Sequence, residues 1–504
     1  MRAYSKSKLM ALRQCPKRFW LEVNRPDLRV NSAESERNFQ VGYKVGEIAQ
    51  KIYDPENCGS TIDVQSEGFA RAFERSSELL QSNQVIFEAG FSAGGALAFA
   101  DVMIPKHKDG QLYWHMVEVK SSTSIKNYHR DDVAVQAYAA KISGVTLESI
   151  ALAHIDSSWS YPGYMDYRGL LKECDLTAEA LSRTEEVIKW ISQAKEIAAE
   201  TSEPVIETGN HCTSPYECGF HSYCSRNKPK PEYPIDWLPN FTAAKKQALA
   251  DQGVVDMSGV PDTMLNDKQL RVKEHTLANS VYFDADGAAA DLASFTLPAY
   301  FIDFETIQFA VPIWKGTRPY QQIPFQFSLH TIAATGQLSQ TGFLDLSGDN
   351  PAEPFAHALI AACGSQGPVF VYNAGFETAR ISELAAQLPL LSESLLAIND
   401  RVVDLLPIAR ERYYHPSQQG SWSIKKVLPA VVPELRYDTL DGVQDGGMAM
   451  DAFLEGINAG TSLERKTQIE IQLKAYCELD TYAMVRLWQV FSGRDDLSLN
   501  ARST

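Results

Sequence analysis

The chain has 504 residues, of which 44% are hydrophobic and 22% charged, and its formal net charge is −16. These proportions are typical of a folded protein of two or three domains, and they exclude an intrinsically disordered chain. No apolar run approaches the roughly 20 residues of a membrane span, and the N-terminus lacks the apolar segment of a signal peptide. We therefore expect a cytoplasmic protein without a membrane partner.

The negative charge argues against a nucleic-acid partner, but it is unevenly distributed along the chain. Residues 1–30 contain eight lysines and arginines against only Glu22 and Asp27. Such a segment is suited to contacts with backbone phosphates, and a solvated helix face is the alternative interpretation.

The first 230 residues predict a mixed α/β domain. Ser5 to Glu22 predicts one helix, and Phe39 to Tyr53 predicts a second. Alternating apolar positions then predict two strands that flank a turn at Gly94-Gly95. Strands are predicted at 85–91, 96–104, 113–120 and 149–155, and further helices at 131–142 and 185–199.

Neighbouring strands of this domain carry a candidate metal site. Asp101 lies within one apolar strand, and the i, i+2 spacing of Glu118 and Lys120 places both on one face of the next strand. Glu88 lies on the preceding strand and Gln136 on the following helix. The acids are suitable ligands for Mg²⁺ or Mn²⁺, and the lysine can balance charge on a reacting phosphate. A surface ion pair between Glu118 and Lys120 is the alternative.

The eight cysteines are too few for a disulfide scaffold, and half of them form a candidate cofactor site. Four thiolates suit Zn²⁺ or a [4Fe–4S] cluster, and the wide spacing lacks the close cysteine pairs of structural zinc sites. We therefore favour the [4Fe–4S] cluster. The candidate ligands are Cys15, Cys212, Cys218 and Cys224, whereas Cys58, Cys174, Cys363 and Cys477 are interpreted as ordinary buried cysteines.

The chain predicts a second α/β domain after a proline-rich, charged stretch at 227–234. Strands are predicted near Tyr300, Gln326 and Val369. The predicted organisation is a domain at 1–230, a linker and helical connector at 231–297, and a domain at 298–504.

Acidic residues of the second domain predict a further metal site. Asp303 and Glu305 share one face of a strand, and Tyr476 and Asp480 share one face of a helix. Together with Glu377 they would form an oxygen-rich pocket for two divalent cations, Mg²⁺ or Mn²⁺, as in phosphodiester hydrolysis. Burying these acids costs several kcal/mol unless they are paired or bind metal.

Two residues near this site have ordinary structural alternatives. Tyr476 alone would be interpreted as a core tyrosine, but Asp480 and the other acids favour a role in orienting the attacking water. Asp404 is either an outer acid near the metals or the N-cap of a helix.

Residues 1–230 resemble the iron–sulfur PD-(D/E)xK nucleases associated with CRISPR adaptation and with helicase–nuclease recombination complexes. The resemblance implies a restriction-endonuclease-like mixed sheet with an iron–sulfur cluster. Gly46 stands where these nucleases often place a metal-binding histidine, and Tyr138 follows Gln136 by two residues instead of four. The matching positions are Cys15, Asp101, Glu118, Lys120, Gln136, Cys212, Cys218 and Cys224.

Residues 298–495 resemble the DEDD 3′–5′ exonucleases of the proofreading-polymerase (DnaQ-like) superfamily, tyrosine subtype. The resemblance implies a ribonuclease-H-like α/β fold, and the second motif usually supplies Asp where this chain has Glu. The whole chain resembles a bacterial family that fuses two such modules, through the strings at 313–328 and 420–429. The matching residues are Asp303 and Glu305, then Glu377 with the preceding Asn373, then Tyr476 and Asp480.

Together these features predict a two-site, metal-dependent nuclease that degrades single-stranded DNA from the 3′ end in DNA repair or defence. Two alternatives stay open: the first half is a non-catalytic DNA-binding and threading module, or the substrate is RNA. A non-enzymatic scaffold is a third reading, which the set of acids disfavours. No protein partner is predicted.

Overall fold

The computed structural model describes residues 3–228 and 230–494. Residues 1–2, 229 and 495–504, which the predicted domain ranges include, lie outside the described part. The chain divides into two compact units, of which the first contains the described residues up to Lys228 together with Gln308–Gln321. The second contains the rest of the described chain. Each unit combines helices with a sheet, so the expected α/β class is confirmed.

The first unit is built on a mixed sheet of seven strands. They are β1 (Tyr4–Ser5), β2 (Ser60–Thr61), β3 (Ile86–Ala93), β4 (Ala96–Lys108), β5 (Gln111–Lys120), β6 (Leu147–Ile155) and β7 (Leu171–Asp175). Their order is β2-β3-β4-β5-β6-β7, and β1 pairs in parallel with β4. β4 is antiparallel to β3 and β5, whereas β6 is parallel to β5. Gly94 and Gly95, both with positive φ, form the predicted turn between β3 and β4.

The helix predicted from Ser5 to Glu22 is wrong as a single element. Two helices replace it, and Cys15 between them has an extended backbone with φ −163°. The residue before a proline avoids the helical conformation, so Pro16 ends the first helix and starts the second. The helices of this unit are α1 (Lys6–Gln14), α2 (Pro16–Asn24), α3 (Ala33–Tyr53), α4 (Val64–Glu67), α5 (Phe69–Leu79), α6 (Asn127–Ile142), α7 (Thr177–Ser182), α8 (Thr184–Ala198) and α9 (His221–Ser225).

The second unit contains a sheet of five strands and a separate strand pair. The strands are β8 (Tyr282–Phe283), β9 (Ala299–Ile307), β10 (Ile323–Ile332), β11 (Leu338–Leu344), β12 (Val369–Val371), β13 (Val402–Asp404) and β14 (Tyr413–Tyr414). The sheet order is β11-β10-β9-β12-β13. The pairs of β10 with β9 and β11 are antiparallel, whereas β12 is parallel to both β9 and β13.

The helices of the second unit surround a large apolar core. Residues of the predicted connector, such as Leu249 and Val272, are buried in the same cluster as Phe301 of β9 and Trp488. The helices are α10 (Ala243–Ala250), α11 (Asp267–Leu277), α12 (Ala285–Leu292), α13 (Ala352–Cys363), α14 (Gly375–Gln387), α15 (Ser392–Asn399), α16 (Leu405–Arg412), α17 (Ile424–Val431), α18 (Gly446–Ile457) and α19 (Leu463–Ser492). Over the described residues, none of the protein's helices is long and apolar enough to cross a membrane.

The segment Gln308–Gln321, here called the arm, follows β9 in sequence but belongs to the first unit. Its Ala310 and Val311 are buried in an apolar cluster with Val45 of α3 and Ile155 of β6. The Tyr320 hydroxyl donates a hydrogen bond to the carbonyl of Ser121, the residue directly after β5. The arm is therefore part of the first unit's core, a placement that the predicted ranges 1–230 and 298–504 do not include.

Candidate functional site

Three carboxylates of the second unit converge at one point. Asp303 and Glu305 lie on β9, and Asp480 lies in the middle of α19. One oxygen from each can be chosen so that all lie within 4.8 Å of one another. Among the described residues, no other set of three or more Asp, Glu, His or Cys side chains has ligand atoms this close together. The convergence predicted for these three residues is therefore present.

Burial raises the pKa of each of these carboxylates, and the charge of Asp480 adds to the rise for Asp303 and Glu305. Burial and the charge of Asp480 raise the pKa of Glu305 to about 8, and burial raises the pKa of Asp480 to about 6. Burial, followed by the charges of Asp480 and Glu377, holds the pKa of Asp303 well above its usual value. Among the described residues, none of the three forms an ion pair with a lysine, arginine or histidine within 4.0 Å. These three side chains could therefore hold a divalent cation.

Glu377 stands beside this group without joining it. It lies in the first turn of α14, is 3% exposed, and one of its carboxylate oxygens has no hydrogen-bond partner among the described residues. Burial raises its pKa to about 7. An orphaned, buried carboxylate oxygen is destabilising unless a ligand uses it. Glu377 is therefore suited to a metal near Asp303.

Asp404 supports the loop before α14 rather than the carboxylate group. Its side chain accepts hydrogen bonds from the backbone N–H groups of Asn373, Ala374 and Leu406, at 2.8, 3.0 and 2.9 Å. The bond to Leu406 is the N-cap of α16, which is one of the two interpretations of Asp404. Asn373 has a positive φ of 78°, and the bond to Asp404 holds this unusual backbone.

Tyr476 lines the same site, and Tyr437 and Lys425 accompany it. Tyr437 donates a hydrogen bond of 2.5 Å from its hydroxyl to Oδ1 of Asp480. The Lys425 ammonium lies 5.0 Å from the ring centre of Tyr476 and 5.3 Å from that of Tyr437. Burial, then the charge of Asp480, raises the pKa of Tyr476 beyond its usual range, so its hydroxyl stays protonated. Tyr437 had no sequence signal, because no fixed spacing links it to α19.

The first unit brings its own acids together, but around two lysines. Lys120 Nζ lies 2.6 Å from both Glu118 and Asp132, and Lys6 Nζ lies 2.9 Å from Glu118 and 3.5 Å from Asp132. Burial alone would raise the pKa of Glu118, but the two ammonium groups hold it well below its usual value. This site is therefore neutralised internally, unlike the group in the second unit.

The other predicted residues of the first site are also close to this network. Asp101 Oδ2 accepts a 2.6 Å hydrogen bond from the backbone of Val119, and Gln136 Nε2 donates to Glu118. Glu88 occupies the β3 position opposite Asp101 of β4, is exposed and has a positive φ of 58°. Asp132, on the buried face of α6, was missed by the sequence reasoning.

A cavity of about 500 Å³ borders Lys120 and Asp132 in the first unit. The basic N-terminal segment contributes much of its wall, so part of that segment faces a cavity instead of bulk solvent. Its acidic lining residues include Glu22 and Glu217. The basic and aromatic side chains that line it are Lys6, Lys8, Arg18, Arg29, Lys120, Phe39, Tyr128, His129 and Tyr216.

All four candidate cysteine ligands line one narrow cavity of the first unit, together with His211 and His221. The four thiols are free, and those of Cys15, Cys212 and Cys218 are buried. Burial raises the pKa of Cys224 to about 11. The interpretation of the remaining cysteines as buried is confirmed for Cys363 and Cys477, but Cys174 is only half-buried and Cys58 is exposed.

Two comparisons with known proteins concern parts of the chain. Residues 300–423 match the family described as "Domain of unknown function (DUF2779)", a range that contains Asp303 and Glu377 and ends before Tyr476. The chain is also similar to a Mycoplasma pneumoniae protein described as "Uncharacterized protein MG366 homolog", at 28% identity over 207 residues. This match covers 37% of the chain and 31% of the relative, so the chain spans about a third of the relative's length. Neither description names a reaction.

Proposed function

We propose that the protein is a metal-dependent nuclease whose main active site is the carboxylate group of the second unit. The observation that carries the proposal is the convergence of Asp303, Glu305 and Asp480 within 4.8 Å. Glu305 and Asp480 are buried and Asp303 is half-buried, and none of the three has an ion-pair partner among the described residues. Such an arrangement is costly unless divalent cations neutralise it. Oxygen-only ligands favour Mg²⁺ or Mn²⁺ over zinc, which prefers nitrogen and sulfur.

The proposed reaction removes nucleotides from the 3′ end of a single strand. When bound, the cations would activate water and stabilise charge on the reacting phosphate. Asp303, Glu305, Asp480 and Glu377 would hold them, and the protonated Tyr476 hydroxyl would orient the attacking water. A bond forms from the water oxygen to phosphorus while the bond to the 3′-oxygen breaks. The products are a nucleoside 5′-monophosphate and a strand with a new 3′-hydroxyl group.

The strand arrangement supports a ribonuclease-H-like assignment for the second unit. Three antiparallel strands followed by two parallel ones, in the order β11-β10-β9-β12-β13, agree with that fold, and Asp303 and Glu305 lie on its central strand β9. For the first unit, Asp101 on β4, Glu118 and Lys120 on β5, and the following α6 support the PD-(D/E)xK assignment.

A specific observation favours a second candidate role for the first unit, a binding and threading module. Lys6 and Lys120 both engage Glu118, so a divalent cation would have to displace an ammonium group to bind there. The adjacent basic and aromatic cavity is suited to a single strand, since lysines contact phosphates and aromatic rings stack on bases.

We also propose that the four cysteines hold a [4Fe–4S] cluster. Tetrahedral zinc with sulfur at about 2.3 Å places its ligands close together. Among the described residues, the four thiols line one cavity, but their sulfur atoms do not all lie within 4.8 Å of one another. A cubane cluster spaces its thiolates more widely and therefore suits this cavity better.

Degradation of end-labelled single-stranded DNA with Mg²⁺ or Mn²⁺ tests the proposal. Asp303→Ala is expected to abolish 3′–5′ shortening, and Lys120→Ala to leave it intact if the first unit only binds. Loss of a different product series in each variant would show two cutting sites. If the wild-type protein cuts neither DNA nor RNA while it binds Mn²⁺, the nuclease assignment is wrong.

A further inference from the structure

Lys425 occupies an unusual position beside the carboxylate group of the second unit. It is the second residue of α17 and follows the N-cap Ser423 by two positions. Its ammonium donates a 3.0 Å hydrogen bond to the carbonyl of Gln444 and faces the rings of Tyr437 and Tyr476. Cation–π contacts of this kind hold an ammonium group in place without neutralising its charge.

The charge of Lys425 acts on the carboxylates without an ion pair. It opposes the rise in pKa of Asp303, Glu305 and Asp480, so it lies within electrostatic range of all of them. Yet no carboxylate of the described chain lies within 4.0 Å of its nitrogen. An ammonium group has three N–H donors, and the Gln444 carbonyl uses one of them. Two donors thus remain for a ligand.

Charge balance indicates what that ligand is. The carboxylates of Asp303, Glu305, Glu377 and Asp480 carry four negative charges, which two divalent cations would cancel. A phosphodiester then adds one uncompensated negative charge, and attack by a deprotonated water adds another. Among the described residues, Lys425 is a nearby positive charge that forms no ion pair with a carboxylate.

We propose that Lys425 donates a hydrogen bond to a non-bridging oxygen of the scissile phosphodiester, a role that rests on the proposed nuclease function of the same site. The ammonium group keeps its proton throughout, and it forms and breaks no covalent bond. It stabilises the charge that accumulates on phosphorus oxygens while the bond to water forms and the bond to the 3′-oxygen breaks. The proton of the attacking water leaves to solvent, and the departing 3′-oxygen takes one up.

Three variants test this role in the full-length protein. Lys425→Ala is expected to lower the single-turnover rate on end-labelled single-stranded DNA by about 10²–10³-fold, the usual loss for one transition-state donor. Lys425→Arg, which keeps the charge, should recover part of that rate. The matched control is Lys426→Ala, because Lys426 is exposed on the same helix and lies 3.4 Å from Gln419. It should behave as the wild type.

Two further measurements separate a phosphate contact from a structural role. Mn²⁺ affinity by calorimetry should be unchanged or tighter in Lys425→Ala, since a nearby positive charge is removed; a weaker affinity overturns the proposal. With Ca²⁺ in place of Mn²⁺, the wild type should bind DNA less well when its terminal linkage is a neutral methylphosphonate. The difference between the two strands should be clearly smaller in Lys425→Ala, in which only the cations would still interact with the phosphate charge.

The outcomes distinguish failure of this inference from failure of the nuclease assignment. If the wild type cleaves DNA and Lys425→Ala cleaves it equally fast, the role of Lys425 is wrong and the nuclease assignment stands. If Lys425→Ala cleaves slowly but loses as much affinity for the methylphosphonate strand as the wild type does, Lys425 acts through Tyr476. The proposed phosphate contact is then wrong. A wild type that binds Mn²⁺ and cleaves no nucleic acid overturns both.

Discussion

Metal binding at the proposed site around Asp303 is expected to depend on pH. The raised pKa values, about 8 for Glu305 and about 6 for Asp480, mean that cations must displace protons from this site. We expect Mn²⁺ affinity, measured by titration calorimetry, to increase steadily between about pH 6 and pH 8. Release of protons on binding should be visible as a dependence of the heat on the buffer.

The same groups should give the metal-free protein an inverse pH dependence of stability. The folded protein holds protons on Glu305 that the unfolded chain releases above about pH 4.5, so the free energy of unfolding falls as pH rises toward 8. Glu305→Gln removes this titration and should flatten the decline in melting temperature. An equally steep decline in the variant would show that the carboxylate is not perturbed.

Tyr437 is expected to act as a positioning residue. Its hydroxyl donates to Asp480, and partners of metal ligands typically contribute about 10–100-fold to metal affinity or activity. Tyr437→Phe should therefore weaken Mn²⁺ binding and slow cleavage within that range. Tyr413→Phe is the matched control, because the Tyr413 hydroxyl donates to the carbonyl of Ala430 instead. Equal effects of the two changes would contradict a specific role for Tyr437.

Local spacing predicted part of the sites, and contacts between distant segments supplied the rest. Asp303 and Glu305 share a strand, so their proximity follows from the two-residue period of a β-strand. Asp132 lies on α6, a helix whose sequence is typical of a buried core helix. Only the packing of α6 on the sheet brings Asp132 close to Lys120. No local pattern encodes the approach of Tyr437 to Asp480.

At the scale of elements, the break between α1 and α2 is what places Cys15 in the cysteine cavity. A continuous helix was the natural prediction from the apolar periodicity, and Pro16 overrides it. We expect Cys218→Ser to lose bound iron and the broad visible absorption of an iron–sulfur cluster after anaerobic purification. Cys58→Ser, at an exposed thiol, should retain both. Stoichiometric zinc and no iron in the wild type would contradict the cluster.

Helix α1 also places Lys6 beside Glu118 and Asp132 of the first unit. Removing this ammonium should strengthen Mn²⁺ binding there by at least about fivefold, since a unit charge about 4 Å away contributes roughly 1–4 kcal/mol. The measurement is calorimetry on Lys6→Ala in an Asp303→Ala background. Lys8→Ala, two residues along the same helix, is the control. Unchanged affinity in Lys6→Ala would mean that the ammonium does not compete with the metal.

At the scale of the whole molecule, the arm makes the stability of the first unit depend on residues distant in sequence. Val311 is 5% exposed in an apolar cluster of that unit, and Val311→Ala should cost about 1–3 kcal/mol. Hydrogen exchange should accelerate in β5 and β6, whereas β9 and β10 should be unaffected. Ile313→Ala, at a 42% exposed position of the same arm, should have little effect. Faster exchange confined to β9 and β10 would contradict this assignment.

The arm also has a consequence for how the protein is made. A ribosome that has synthesised residues up to Lys228 has not yet supplied Ala310, Val311 or Tyr320, which belong to the first unit. The core of the first unit therefore cannot be completed until Gln321 has left the exit tunnel. The first unit is translated first but cannot finish folding first. A nascent chain stalled between Lys228 and Gln321 would expose the apolar surface that the arm later covers.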